Sequence, residues 1–292
     1  MIAYNINTAA LEDLAIELAA QAAELICLHR PVELASSTKS SVTDPVTAMD
    51  RRSETLIRRH LAVRRPGDGV YGEEEGGLPG SIGSGVITWV VDPIDGTVNY
   101  LYDLGHYAVS VAAVEGDPRV PGQWTPLAGA VADPSHARIY HARRGGGAWV
   151  RELHLGAPEG AVAPPKSATK LAISGAQALG TSLIATGFSY QPQVRREQAS
   201  ALVEVLPRVR DIRRFGSAAL DLCAVAAGHV DGYYEQCLNP WDYAAGWLLV
   251  TEAGGRVSGW ASDPVGGHRL VAGSECVRRD LVYLLDGLVG SS

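Results

Sequence analysis

The sequence predicts a mixed α/β fold in which helices and sheets are stacked in layers. Its 292 residues are 46% hydrophobic and 20% charged, which is the composition of a globular chain long enough to bury a substantial core. Short apolar runs rich in β-branched residues predict strands, and longer segments with helical periodicity lie between them. The two kinds of segment alternate unevenly, and this favours a layered mixed fold over a doubly wound parallel sheet.

Two amphipathic helices are predicted near the start of the sequence. Apolar residues recur at helical spacing from Leu11 to Ile26, and Asn7 or Thr8 can cap this helix. Residues 35–45 are rich in Ser and Thr and predict a loop. A second helix is expected to open at Asp44-Pro45, because proline is tolerated in the first helical turn.

The later elements follow in order, and no internal repeat interrupts them. Strands are expected at residues 70–71, 86–91, 106–114, 127–131, 138–141, 171–174, 182–185, 211–215, 230–235 and 270–272, and helices at 193–206, 217–227, 240–253 and 277–288. Residues 156–165 are rich in Ala, Pro and Gly and could form the connection between two halves of the chain. We therefore expect an N-terminal half, residues 1–155, and a C-terminal half, residues 156–292, packed as one globular unit.

The most informative stretch follows the buried strand predicted over residues 86–91. This strand should end at Asp92, because Pro93 has no N–H to donate to a neighbouring strand. Asp95 lies just beyond it. Two carboxylates with the Ile94 carbonyl between them form a compact set of oxygen ligands, which hard cations such as Mg²⁺ prefer.

Gly96 and Thr97 come next and could bind an anion. Their backbone N–H groups would be well placed if a short helix starts at Thr97. Asp-Pro and Asp-Gly are also ordinary turn dipeptides, so residues 92–97 could instead form a connection without chemistry. Other parts of the chain have to decide between these alternatives.

A second candidate ligand is Glu73, which directly follows a short predicted strand and Gly72. A carboxylate at that place could face a site. The neighbouring Glu74 and Glu75 are predicted to lie in a solvated turn.

Asp242 is the third candidate, in the first turn of the helix predicted over residues 240–253. Helix capping is its alternative role, because an acid is favoured there by the helix dipole. The small residues Ala244, Ala245 and Gly246 follow it. They would allow the helix to approach a neighbour closely and so carry Asp242 against another element.

Together these motifs resemble the Mg²⁺-dependent, lithium-sensitive phosphomonoesterases of the inositol monophosphatase family, in particular the bacterial inositol-1-monophosphatases. The matching segments occur in the family's order across nearly the whole chain. They are Gly72 to Glu74, Asp92 to Thr97, Trp241 to Gly246, Lys39 to Asp50 and Gly216 to Asp221. The resemblance implies a layered αβαβα sandwich of the sugar-phosphatase type and inositol-phosphate phosphatase activity.

The resemblance also implies a set of metal ligands. Glu73, Asp92 and the Ile94 carbonyl would hold a first Mg²⁺, and Asp92, Asp95 and Asp242 a second. Glu73 would help to place a third, looser ion through waters, and Mn²⁺ could replace Mg²⁺. Two ions roughly 4 Å apart can activate water and stabilise a leaving alkoxide.

Glu73, Thr97 and Asp50 are the catalytic residues that the resemblance implies. Thr97 and Asp50 would orient the attacking water and take its proton. The backbone N–H groups of Gly96 and Thr97 would bind the phosphate oxygens.

Substrate contacts also follow from the resemblance. Glu235 matches a carboxylate that accepts hydrogen bonds from ring hydroxyls, although it could be an ordinary exposed glutamate at a strand end, and Asp95 could also touch the ring. Arg213 matches a position near the substrate, with a surface salt bridge as its alternative. Lys39 resembles a lysine near the loose metal. The expected wall of the pocket is Gly216, Ser217 and Ala218.

Composition limits the partners. The formal net charge is −7 and no Lys/Arg-rich tract occurs, so nucleic acid is not expected as the main partner. No signal-peptide pattern or membrane-spanning stretch is present, and the four cysteines form no C-x-x-C pair. We expect a cytoplasmic enzyme for a small-molecule phosphate ester, and the resemblance implies a homodimer.

The substrate is less strongly indicated than the reaction. Metal ligands define the reaction type, whereas Glu235 and the loops would define the substrate. Myo-inositol 1-phosphate is the expected substrate, and histidinol phosphate, a nucleotide 3′-phosphate and fructose 1,6-bisphosphate are alternatives. A regulatory role on RNA or on the transcription machinery is an alternative of another class.

Overall fold

The first part of the chain contributes two helices and a short β-ribbon. Helix α1 spans Thr8–Leu28, strands β1 (Ser36–Thr38) and β2 (Pro45–Thr47) pair antiparallel, and helix α2 spans Ala48–Arg64. The structure is a computed structural model, and it describes residues 6–30, 36–38, 45–77, 86–156, 168–260 and 263–289.

Two expectations for this part are wrong. The predicted loop over residues 35–45 contains β1, and the helix expected to open at Asp44-Pro45 begins only at Ala48. Pro45 is instead the first residue of β2 and lies opposite Thr38. Proline is accepted at the first residue of a strand as well as in the first turn of a helix, so the dipeptide alone could not distinguish the two.

A seven-stranded sheet follows, and its strands lie side by side in chain order. Only β3 and β4 run parallel, and every other neighbouring pair is antiparallel. The strands are β3 (Gly69–Gly72), β4 (Ile87–Asp95), β5 (Ala108–Gly116), β6 (Trp124–Asp133), β7 (Arg138–Arg143), β8 (Gly147–Glu152) and β9 (Thr169–Lys170).

The second sheet has five strands in the order β11-β10-β12-β14-β13. These are β10 (Leu183–Thr186), β11 (Asp211–Arg213), β12 (Gly232–Gln236), β13 (Arg256–Ser258) and β14 (Arg269–Gly273). Strand β10 is parallel to both β11 and β12, whereas β14 is antiparallel to β12 and β13. The remaining helices are α3 (Thr97–Leu101), α4 (Pro192–Val205), α5 (Ala218–Ala226), α6 (Pro240–Glu252) and α7 (Glu275–Val289).

These elements form five layers, in agreement with the predicted αβαβα sandwich. Helices α1 and α2 cover one face of the larger sheet, α5 and α6 lie between the two sheets, and α4 and α7 lie on the far side of the smaller sheet. Because the larger sheet is covered on both faces, successive residues of strand β4 point alternately into two different cores. Its Val90 belongs to the core between the sheets, whereas Trp89 and Val91 belong to the core beneath α1 and α2.

Helix α6 is buried nearly all round, as a helix between two sheets must be. A Cβ added at Gly246 would lie 2.5 Å from Cδ1 of Leu222 in α5, and one added at Gly129 in β6 would lie 3.1 Å from Cα of Ala245. The expected close approach of this small-residue helix to a neighbour is therefore confirmed, and Asp242 at its start is half-buried.

The predicted boundary between residues 155 and 156 stays a prediction, because residues 157–167 lie outside the described part of the chain. Among the helices in the described ranges, none combines the length and apolarity needed to cross a membrane.

Replacement of Gly246 by Ala should destabilise the protein, because the added methyl group would overlap Leu222. Overpacking of this kind lowers the free energy of unfolding by about 1–3 kcal/mol, which urea titration would measure. Gly287→Ala in α7 is the matched control, since nothing lies within 4 Å of a Cβ at that position. The control should be neutral or stabilising through helix propensity. Equal effects at the two positions would contradict the packing argument.

A buried ionic cluster joins α1 to the larger sheet. Glu12 accepts hydrogen bonds from His141 Nδ1 at 2.7 Å and from Arg143 at 2.6 Å, with its side chain almost fully buried. Burial acts to raise the pKa of Glu12, but the bonds and charges of His141 and Arg143 outweigh it and hold the pKa below its ordinary value. The carboxylate therefore stabilises the fold in its ionised form.

Glu12→Gln should lower the free energy of unfolding near neutral pH by about 2 kcal/mol, because charge-assisted hydrogen bonds are lost. A depressed pKa gives stability that is present above the unfolded-state pKa and is lost as the pH falls through the folded-state value. The difference between wild type and variant should thus shrink in acid, as measured by urea unfolding at a series of pH values. Glu17→Gln on the same helix, at an exposed ion pair with Arg64, should change little. A pH-independent difference would contradict the argument.

Candidate active site

The candidate site begins at an irregularity in β4. We expected the strand to stop at Asp92, but it continues through Pro93 to Asp95. Asp92 lies opposite Ser110 and Asp95 opposite Ala108, so β4 contains one residue more than its partner strand over this stretch. Such a bulge leaves one residue outside the ladder, which explains why a proline without an N–H is accepted here.

The bulge also re-aims the two aspartates. In a regular strand, residues three apart point to opposite faces, and one extra residue reverses this relation. One carboxylate oxygen each from Asp92, Asp95 and Asp242 lie within 4.8 Å of one another. Within the described ranges, no other group of three or more His, Cys, Asp or Glu side chains meets in this way.

Asp242 reaches this group from the start of α6. Its Oδ2 accepts the Asn239 N–H at 2.6 Å in a capping box. Capping was the alternative role for this residue, and the structure shows that Asp242 caps the helix and lies beside the other two aspartates at the same time.

Glu73 approaches the same place from the turn after β3. It lines one cavity together with Asp95 and Asp242. Tyr71 at the end of β3 packs against Trp241 at the start of α6, with ring centroids 5.1 Å apart. This aromatic contact holds the two chain segments together.

The carboxylates repel one another. Burial together with the negative charges of Glu73 and Asp95 raises the pKa of Asp242 well above its ordinary value. Burial also raises the pKa of Asp95 to about 6, against the opposing effect of hydrogen bonds from Ser217 and Ala219. Converging carboxylate oxygens whose charges disfavour one another fit a hard divalent cation, because the cation supplies the missing positive charge.

Next to the aspartates, the short helix α3 does begin at Thr97. Gly96 precedes it with φ at 92°, and a Cβ there would lie 2.9 Å from the His106 carbonyl oxygen. Both facts require glycine. Thr97 Oγ1 lies 3.2 Å from Oδ1 of the fully buried Asp50 and 3.1 Å from the Ile94 carbonyl oxygen. The structure therefore brings together the two residues expected to act as a pair.

Helix α5 binds Asp95 from the other half of the chain. Asp95 Oδ2 accepts hydrogen bonds from Ser217 Oγ at 2.6 Å and from the Ala219 N–H at 2.7 Å. Ser217 Oγ also accepts the Leu220 N–H and so caps the helix. The hydroxyl of Ser217 thus points to Asp95, and only its neighbours Gly216 and Ala218 line the cavity.

The cavity has a volume of about 260 Å³ and opens beside the aspartates. Glu235 lines it, and the Tyr233 hydroxyl donates to Glu235 Oε2 at 2.6 Å. Burial raises the pKa of Glu235 to about 7, and the Tyr233 hydrogen bond and the Arg214 charge act against this rise. The segment of residues 187–191 forms another wall, which the sequence did not single out.

Of the two adjacent arginines, only Arg214 lines the cavity. Arg213, the expected one, pairs with Asp211 at 2.5 Å on the exposed side of β11. Neighbouring residues of extended chain point to opposite sides, so only one of the two can face the site. The tandem arginines were visible in the sequence, but their orientation was not. Lys39 lies outside the described residues.

Comparison with known proteins identifies the family. A sequence model described as the inositol monophosphatase family matches residues 7–283. The chain belongs to this family. It is therefore an inositol-phosphate phosphatase, a phosphoric monoester hydrolase, and the predicted fold class and enzyme class are both confirmed.

Three relatives illustrate the match. The inositol-1-monophosphatase SuhB of Mycobacterium tuberculosis (strain H37Rv) is 46% identical to this phosphatase over 222 residues, which is 75% of this chain and 70% of the relative. The Nus factor SuhB of Pasteurella multocida (strain Pm70) is 35% identical over 249 residues, 84% of each chain. The solved structure of Mycobacterium tuberculosis SuhB aligns with a TM-score of 0.75 at 38% identity, over 98% of this chain and 99% of that one.

Ser217→Ala should destabilise the phosphatase, because it removes both the cap of α5 and a hydrogen bond to buried Asp95. Loss of a cap costs about 1–2 kcal/mol, and urea unfolding would measure it. Ser200→Ala in α4 is the control, since Ser200 is exposed and bonds only within its own helix turn. An unchanged stability of Ser217→Ala would contradict the double role of this hydroxyl.

Proposed function

We propose that this phosphatase hydrolyses myo-inositol 1-phosphate to myo-inositol and inorganic phosphate in a Mg²⁺-dependent reaction. The observation that carries the proposal is the meeting of Asp92, Asp95 and Asp242 beside a cavity lined by Glu235. The names of the mycobacterial relatives, inositol-1-monophosphatases, support the choice of inositol phosphate.

The proposed metal ligands come from three segments of the chain. Glu73, Asp92 and the Ile94 carbonyl would hold one ion, and Asp92, Asp95 and Asp242 another. Two to three Mg²⁺ ions per chain are proposed, with Mn²⁺ as a substitute. When bound, the ions supply Lewis acidity toward the phosphate ester and make water a stronger nucleophile.

Thr97 and Asp50 are the proposed proton acceptors for the attacking water. Thr97 Oγ1 lies within hydrogen-bond distance of both Asp50 Oδ1 and the Ile94 carbonyl. The hydroxyl can pass its own proton to the carboxylate while it accepts one from water. Asp50 is fully buried, so its carboxylate is shielded from bulk water.

Phosphate and ring contacts complete the proposal. The N–H groups of Gly96 and Thr97 would bind phosphate oxygens, and Glu235 and Asp95 would accept hydrogen bonds from ring hydroxyls. Arg214, rather than Arg213, is the proposed cation of the substrate cavity, because it lines the cavity wall. Gly216 and Ala218 form part of that wall, with Ser217 behind them as the hydrogen-bond partner of Asp95.

A regulatory function is a second candidate, since one relative is named Nus factor SuhB. The net charge of −7 and the lack of a basic tract disfavour direct binding to nucleic acid. A role through protein contacts would be compatible with catalysis. We also propose a homodimer, which a molar mass from light scattering would test.

Asp242→Asn should reduce kcat/KM for myo-inositol 1-phosphate by about 100-fold or more, because even residues that only support metal ligands contribute 10- to 100-fold. Phosphate release at saturating Mg²⁺ would measure it. Asp13→Asn, at an exposed position on α1, removes the same charge and should leave activity unchanged. Full activity of Asp242→Asn would refute the assigned metal site.

Glu235→Gln should raise KM for myo-inositol 1-phosphate more than for p-nitrophenyl phosphate, which has no ring hydroxyls to bind. A panel with histidinol phosphate, a nucleotide 3′-phosphate and fructose 1,6-bisphosphate would rank the natural esters. A higher kcat/KM for any of these three than for myo-inositol 1-phosphate would replace the proposed substrate.

A further inference from the structure

The turn that carries Glu73 is bound to helix α2 by a buried carboxylate. Glu54 lies on α2 with its side chain fully buried. Its Oε2 accepts the Glu74 N–H at 2.8 Å, and its Oε1 accepts the Glu75 N–H at 3.1 Å. One side chain thus binds two consecutive backbone groups directly after Glu73.

Arg58, one helical turn further along α2, completes this attachment. Its Nε donates to Glu54 Oε1 at 2.8 Å, and its guanidinium also donates to the Gly76 carbonyl. The buried charge of Glu54 is therefore paired, as a buried carboxylate requires. Arg58 also lies 3.4 Å from the exposed carboxylate of Glu75.

Gly72, immediately before Glu73, leaves the space that Glu54 occupies. A Cβ at Gly72 would lie 2.5 Å from Oε1 of Glu54. Gly72 N–H donates to the Gly76 carbonyl at 3.0 Å, and Glu73 N–H donates to the Val91 carbonyl at 3.2 Å. The backbone on both sides of Glu73 is therefore held, on one side by β4 and on the other by α2.

From this geometry we propose that Glu54 is a positioning residue, which holds the turn of residues 72–76 so that Glu73 faces the aspartates. Glu54 itself would touch neither metal nor substrate. The inference rests on the proposed function in one respect, namely that Glu73 is a metal ligand. Groups that orient metal ligands commonly change metal affinity by about 10- to 100-fold when they are removed.

Two substitutions distinguish the effect of the position of the Glu54 carboxylate from the effect of negative charge near the turn. Glu54→Asp keeps the negative charge but shortens the side chain by one methylene, so the carboxylate can no longer reach both N–H groups. Glu75→Gln removes a negative charge from the same turn but leaves the hydrogen bonds of Glu54 intact. Glu54→Asp should raise the Kd for Mn²⁺ about 10- to 100-fold, as measured by calorimetry on the metal-free protein. Glu75→Gln should leave the Kd unchanged.

A second measurement distinguishes positioning from general damage. Activity of Glu54→Asp should recover as the Mg²⁺ concentration rises, because a weakened site can still be filled by mass action. Circular dichroism checks that the variant folds. If it does not, Gly72→Ala replaces it, because its methyl group would displace the Glu54 carboxylate without a change of charge.

The outcomes are separable from those of the proposed function. A Kd of Glu54→Asp equal to that of wild type would overturn the positioning role alone. Equal weakening by Glu75→Gln would also overturn it, since charge rather than position would then explain the effect. Wild-type protein that binds no Mn²⁺, or Asp92→Asn that binds Mn²⁺ as well as wild type, would overturn the proposed metal site and this inference with it.

Discussion

The convergence of carboxylates in a largely desolvated place is the constraint on which the site depends. Asp92, Asp95 and Asp242 meet closely, and burial, together with the negative charges of Glu73 and Asp95, raises the pKa of Asp242. Folding has to hold these groups together at an energetic disadvantage that a divalent cation would relieve. The surrounding structure therefore has to be rigid at these positions, and its hydrogen bonds indicate how this is achieved.

Each of the three aspartates accepts a backbone N–H close to its own place in the fold. Asp92 Oδ1 accepts the Ile94 N–H at 3.1 Å, Asp95 Oδ2 the Ala219 N–H at 2.7 Å and Asp242 Oδ2 the Asn239 N–H at 2.6 Å. Such bonds stabilise the ionised form and fix its direction. The donors lie in a strand bulge, at the start of helix α5 in the other half of the chain, and in the capping box of helix α6.

Helix α2 contacts the site through one polar face. Asp50, Ser53 and Glu54 are all fully buried and lie three and four residues apart, which places them on the same side of the helix. Asp50 contacts Thr97, Ser53 donates to the Pro93 carbonyl at 3.1 Å, and Glu54 binds the turn after Glu73. A helix whose polar residues face inward thus supports both the turn that carries Glu73 and the segment of residues 93–97.

The remaining part of the site lies where the larger sheet meets the loop before α5. The Asn99 side chain in α3 donates to the carbonyls of His106 and Phe215, at 2.8 Å in both cases. This side chain links the Asp-Gly-Thr segment to the loop before α5. The cavity lined by Glu73, Asp95 and Glu235 lies at this junction, so its walls come from both halves of the chain.

The sequence alone determined the local parts of this description. Periodicity predicted α1 and most strands, and the motifs around Asp92 and Asp242 indicated the carboxylates, because these signals depend on residues near one another in the chain. Only the tertiary structure decided that Pro45 starts a strand, that β4 continues through Pro93, that Arg214 rather than Arg213 faces the cavity and that Glu54 binds the Glu73 turn. Each of these outcomes depends on a partner outside the local sequence pattern. A strand neighbour, a bulge or a buried hydrogen bond is selected by packing in three dimensions, which residue type and spacing do not specify.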